Sequence, residues 1–144
     1  MSGDFPDAPT WMNEGLASLF EAPREVDGHV HGAVNWRLAE LQRAIAAKRA
    51  PSFTQMARRG RSDFSRRRGS LFYAMARYLC FYLQERGLLQ RYYRVFRART
   101  RDDPTGLATL QDVAARDLEA LRADWEHFVT ALRYPSPQPL PGSR

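Results

Sequence analysis

An all-α fold of six or seven helices is what this sequence predicts, on three observations. Apolar residues recur every three or four positions, as in Leu38, Leu41, Ile45 or Leu121, Trp125, Phe128, the period of a helix with one buried face. Pro23, Gly28, Pro51, Gly87 and Pro104 fall between such stretches and punctuate them. No run alternates apolar and polar residues in the manner of a strand, and no internal repeat appears. A chain of 144 residues, 44% hydrophobic and 26% charged, fits one domain with a real core.

Residues 1–10, with Gly3, Pro6 and Pro9, read as a leader. Thr10 is a candidate N-cap for a helix from Trp11 to about Glu21, because a hydroxyl can accept from the free amides of a first turn. Residues 22–34 read as a loop, and Asn35 as the cap of a helix running to about Arg49. Pro51 opens a short turn carrying Phe53 and Met56, and 58–69 read as a polar, basic loop. The longest helix spans about Ser70 to Arg86, with Gly87 ending it. Leu88 to Thr100 gives another helix, Asp103-Pro104 opens one to about Ala115, and Asp117 opens the last, to Arg133. The helical unit is thus 11–134. The tail 135–144 is too rich in proline for a helix and is expected to be disordered.

Composition narrows the function classes. Of 22 basic residues 21 are arginine, and the net charge of +6 is modest and spread along the chain, so nucleic acid is not the expected partner. The lone Cys80 excludes an internal disulfide and a multi-thiolate metal site; in its apolar run it reads as a buried structural thiol. No stretch is long and apolar enough for a membrane span, and Met1 to Thr10 is not a signal peptide. Compartment is not assigned by any of this.

One segment carries chemistry: Trp11-Met12-Asn13-Glu14-Gly15-Leu16-Ala17-Ser18-Leu19-Phe20-Glu21. It resembles the second zinc-binding helix of gluzincin metallopeptidases, shared by aminopeptidase-N-like enzymes and the peptidase MA-like family of bacterial proteins. The likeness runs from about Trp11 to Tyr134, through Asn35, the apolar run after Gly69 and the closing stretch from Leu118 to Trp125. It implies a C-terminal, all-helical subdomain of a zinc-dependent hydrolase that cleaves peptide bonds with a zinc-bound water. A catalytic zinc takes three protein ligands and an open position, and two histidines of an H-E-x-x-H helix plus one glutamate is a recurrent set. By resemblance Glu14 is that third ligand, with Asn13 and Ser18 as supporting groups around it. Gly15 and Ala17 are small enough to let this helix pack on the metal-binding one, beside which an uncovered apolar face is expected. Tyr73, 59 residues after Glu14, takes the place of the family's tyrosine that donates to the oxyanion of the tetrahedral intermediate.

The departure from the family bears directly on activity. No H-E-x-x-H occurs in the chain, so two ligand histidines and the general base are expected upstream of Met1. By itself the chain is expected to be inactive and not to hold zinc tightly; peptide or protein substrates and the missing catalytic part are the implied partners. His29-x-His31 sits between glycines and reads as solvated loop, and His127 as a surface residue. The alternative is a non-catalytic helical module that binds a protein or nucleic acid through the loop at 58–68, which holds six arginines with Phe64 interleaved. No recognised nucleic-acid-binding motif accompanies that loop.

Overall fold

A computed structural model describes residues 8–21, 25–26, 29–30, 36–60, 64 and 70–133. Among them are seven helices: α1 (Thr10–Glu21), α2 (Trp36–Ala46), α3 (Phe53–Ala57), α4 (Ser70–Glu85), α5 (Leu89–Arg97), α6 (Leu107–Ala114) and α7 (Leu118–Ala131). The fold is all-α, as the periodicity predicts. One addition lies in the segment read as loop. There β1 (Glu25–Val26) and β2 (His29–Val30) pair antiparallel, Glu25 against Val30 and Val26 against His29. Two residues a side are too few to register as alternation. Residues 1–7, Asn35 and the tail from Pro135 lie outside the described residues.

α4 is the central element. Every residue from Ala74 to Cys80 is buried, as are Tyr82 and Leu83, and the helix meets α1, α2, α3, α5 and α7. Arg77 is the only charged residue between Ser70 and Gln84, so the helix has no polar face to turn to water. It ends as Gly87 predicts. Gly87 takes φ +72°, its N–H donates to the Gln84 carbonyl at 3.0 Å, and Leu88 N–H donates to the Leu83 carbonyl at 2.8 Å. Those two bonds are the closing pair of a Schellman motif.

Other termini follow their capping residues, with two differences. Ser52 and Gln55 form a reciprocal capping box on α3, and the Asp117 carboxylate accepts from Ala120 N–H at 2.8 Å. Thr10, however, is already helical, and the Pro9 carbonyl accepts from Met12 and Asn13 N–H. α6 starts four residues after Asp103 rather than at it. The buried Asp103 carboxylate instead reaches over to accept from Ala108 and Thr109 N–H, at 3.3 and 2.7 Å. Gly106, at φ +80°, supplies the intervening turn.

That turn closes over the start of α1. Trp11 Nε1–H donates to the Thr105 carbonyl at 2.9 Å, and the Tyr92 hydroxyl donates to the Gly106 carbonyl at 3.0 Å. On the far side, Trp125 of α7 meets Phe53 of α3 edge-on at 5.1 Å. Arg122 lies 5.0 Å from each of those rings and donates to the Pro51 carbonyl at 2.8 Å, tying the α2–α3 turn to α7.

Candidate functional site

The residues singled out by sequence fall on two helices that pack on each other more extensively than any other described pair. Asn13, Glu14 and Ser18 are on α1; Tyr73 is near the start of α4. The crossing is set by Gly15. A Cβ there would stand 2.6 Å from the Ala76 carbonyl oxygen and 2.6 Å from Cys80 Sγ, closer than non-bonded atoms approach. The small residue expected to receive a helix from outside the chain is therefore used by α4. Ala17, the other one, is exposed.

Two sides of α1 follow from the 3.6-residue repeat. Trp11, Met12, Leu16, Ser18 and Leu19 are buried, whereas Asn13 and Glu14 are half-buried and Ala17 is exposed. An uncovered apolar face beside Glu14 is thus not found among the described side chains of α1. Among the described side chains, that less covered side carries Asn13, Glu14 and Ala17.

Ser18 is fully buried, and its hydroxyl donates to the Gly15 carbonyl at 3.0 Å. Its own carbonyl accepts from Arg77 Nη1 at 2.9 Å. Arg77, with no exposure at all, carries a charge into the α1–α4 seam and clamps α1 one turn beyond Glu14. Sequence reading passed it over, although a single arginine in an apolar run is a readable signal of a buried charged hydrogen bond. Tyr73 lies one turn before Ala76 and Arg77 and two before Cys80, the side of α4 that meets α1. It is half-buried, and the Arg37 guanidinium from α2 covers its ring at 4.4 Å.

Among the described residues, no three of His, Cys, Asp and Glu converge as metal ligands. Burial pushes the Cys80 thiol up to about 12, so it offers no thiolate near neutral pH. The side chain of His29 and all of His31 lie outside the described residues, while His127 is exposed on α7 as expected. Glu14 therefore stands as one carboxylate, and the residues described do not by themselves fit a zinc ion.

Two other features complete the inventory. The Tyr82 hydroxyl donates to Asp124 at 2.5 Å, with Arg86 at 3.2 Å from the same carboxylate oxygen. Burial first, then the Asp124 bond, raises the Tyr82 pKa; the bond from Tyr82 first, and Arg86 after it, lowers that of Asp124. This is a tether between α4 and α7. A depression of about 540 Å³ lies between the starts of α3 and α7, lined by Phe53, Gln55, Leu118, Glu119 and Arg122 among others; neither Glu14 nor Tyr73 lines it.

Of the arginine loop, Arg58, Arg59, Gly60 and Phe64 are described. Phe64 is buried, 6.1 Å from the Phe72 ring, so it is a core residue rather than a platform for bases. Comparison with protein-family models, curated proteins and solved structures finds no match to this chain.

Proposed function

We propose that this chain is the C-terminal helical part of a gluzincin-type zinc metallopeptidase, in which Glu14 is one metal ligand and the H-E-x-x-H helix comes from a segment outside it. One observation carries the reading. Half-buried Glu14 lies beside exposed Ala17, outside the arc of α1 that carries the buried Trp11, Leu16, Ser18 and Leu19, while that buried arc is locked on α4 through Gly15. A small residue beside a carboxylate leaves room for the close approach of a ligand-bearing helix. In the assembled enzyme the metal supplies the Lewis acid for peptide hydrolysis. Tyr73, on the helix against which α1 is fixed, is assigned as the donor to the substrate oxyanion, and Asn13 and Ser18 as groups that hold α1 and Glu14 in place. This chain alone holds no activity in this reading.

The test begins in the coding DNA immediately upstream of the Met1 codon, where an H-E-x-x-H helix should be encoded, in frame or shifted. The joined polypeptide should retain one zinc per chain after dialysis and hydrolyse an unstructured peptide. Glu14→Ala should lose the zinc, while Tyr73→Phe should keep it and lower kcat. The 144-residue chain alone should retain none. Stoichiometric zinc on the chain alone, or zinc on the joined protein indifferent to Glu14→Ala, would overturn the assignment.

A further inference from the structure

The arginine excess is not evenly spread once the chain is folded. From Arg86 to Arg101 there are six arginines and no acidic residue. Four of them, Arg91, Arg94, Arg97 and Arg101, lie on α5 or just beyond it and are exposed. α5 has one side fixed inward, since Tyr92 and Phe96 are buried and stack at 6.2 Å. At about 100° per residue, Arg91, Arg94 and Arg97 all fall on the arc opposite those rings, and Arg101 follows in the turn beyond. Tyr93, half-buried, borders the arc. The nearest acidic neighbour in sequence is Asp102, at its end.

We propose that this outward arc of α5, continued by Arg101, binds the phosphate backbone of nucleic acid without sequence preference. Two features favour that occupant. The arc is a row rather than a cluster, about 9 Å long from Arg91 to Arg97 at 1.5 Å per residue, matched to a polymer carrying a charge at every nucleotide. Its cations are arginines, whose planar fork binds phosphate oxygens two at a time. A lipid bilayer is disfavoured, because an interfacial helix inserts its apolar side and that of α5 is filled by the core. The inference is independent of the peptidase reading and of the loop at 58–68.

The experiment is fluorescence anisotropy of the full chain with a labelled oligothymidylate and a labelled duplex, from 50 to 200 mM salt. Binding should weaken with a log–log slope of about −3, as expected for three or four phosphate contacts. The exposed pair Arg91→Glu with Arg94→Glu should weaken binding on the order of tenfold or more and flatten the slope by about 2. Arg58→Glu with Arg59→Glu should leave it unchanged, each variant being checked for native helicity. No binding at 50 mM salt would overturn the proposal, as would loss in the Arg58/Arg59 variant alone. So would capture by phosphatidylserine vesicles, dependent on Arg91 and Arg94, without oligonucleotide binding.

Discussion

The two sides of α1 obey different rules. On one, Trp11, Gly15, Ser18 and Leu19 are buried, and the Ala76 carbonyl and Cys80 Sγ of α4 stand where a Gly15 methyl would go. On the other, Ala17 is exposed and Asn13 and Glu14 are half-buried. Eleven consecutive residues thus carry both the most extensive helix pairing in the described structure and its candidate ligand. The difference separates the two meanings that W-M-N-E-G-L-A carries. Trp11, Gly15 and Leu16 are explained by packing alone, so they would be needed in any protein with this helix pair. Glu14 is not explained by packing, and the functional reading rests on it.

The largest effect should come from Gly15→Ala. Alanine favours a helix by up to about 1 kcal/mol over glycine, yet here its Cβ meets the backbone carbonyl of Ala76, which cannot swing away. Overpacking of this kind costs about 3 kcal/mol, so a net loss of about 2 kcal/mol is expected in urea unfolding. A neutral or stabilised Gly15→Ala would mean that α1 and α4 are not in contact at this point.

Next in size is a pH effect from the same seam. Burial raises the Cys80 thiol from its ordinary 9.0 to about 12. Below pH 9 both folded and unfolded thiols are protonated and nothing changes. Between about 9 and 12 the unfolded chain gives up its proton while the folded one keeps it, so stability falls as pH rises. Burial also raises Tyr82 and Tyr92, which add in the same direction above pH 10. Unfolding at pH 8 and pH 10 should show this loss, and Cys80→Ala should show a smaller one. In the folded protein at pH 8, Ellman's reagent should fail to label Cys80; rapid labelling would open the seam.

Much of the fold was legible because its signals are local. Apolar spacing at 3 and 4 marks all seven helices, and Gly87 and Asp117 stop and start theirs by bonds made within a few residues. Asp103 shows where that ends: its capping bonds reach five and six residues forward, so it marks a corner and not a helix start. The strand pair Glu25–Val26 and His29–Val30 is too short for a period. At the site, Glu14 stood out through a motif, but the seam partner of Gly15 is 61 and 65 residues away, and spacing cannot supply that. Arg77 is legible as the one charge in an apolar run, but its acceptor, the Ser18 carbonyl, is 59 residues away, and spacing does not point to it. The outward row on α5 needed Tyr92 and Phe96 to be fixed inward first.

The smallest effects should come from the open side of α1, and they are the sharpest check on the comparison. Glu14→Gln keeps the size and polarity of a half-buried side chain and removes its charge; Ala17→Glu adds a long side chain where the helix faces solvent. Surface changes away from caps and core stay within about 0.5 kcal/mol, and glutamate is only slightly poorer than alanine in a helix. Both variants should therefore unfold within about 0.5 kcal/mol of the parent chain, four or more times less than Gly15→Ala. A loss above about 1 kcal/mol in Glu14→Gln would show that the carboxylate is engaged inside this chain, and would remove the ground for treating it as a ligand held ready for a metal. A similar loss in Ala17→Glu would show that this side is covered after all, leaving no place beside Glu14 for a second helix to approach. If both are silent while Gly15→Ala is not, α1 is fixed by one side only, and Glu14 is left to a role that folding does not account for.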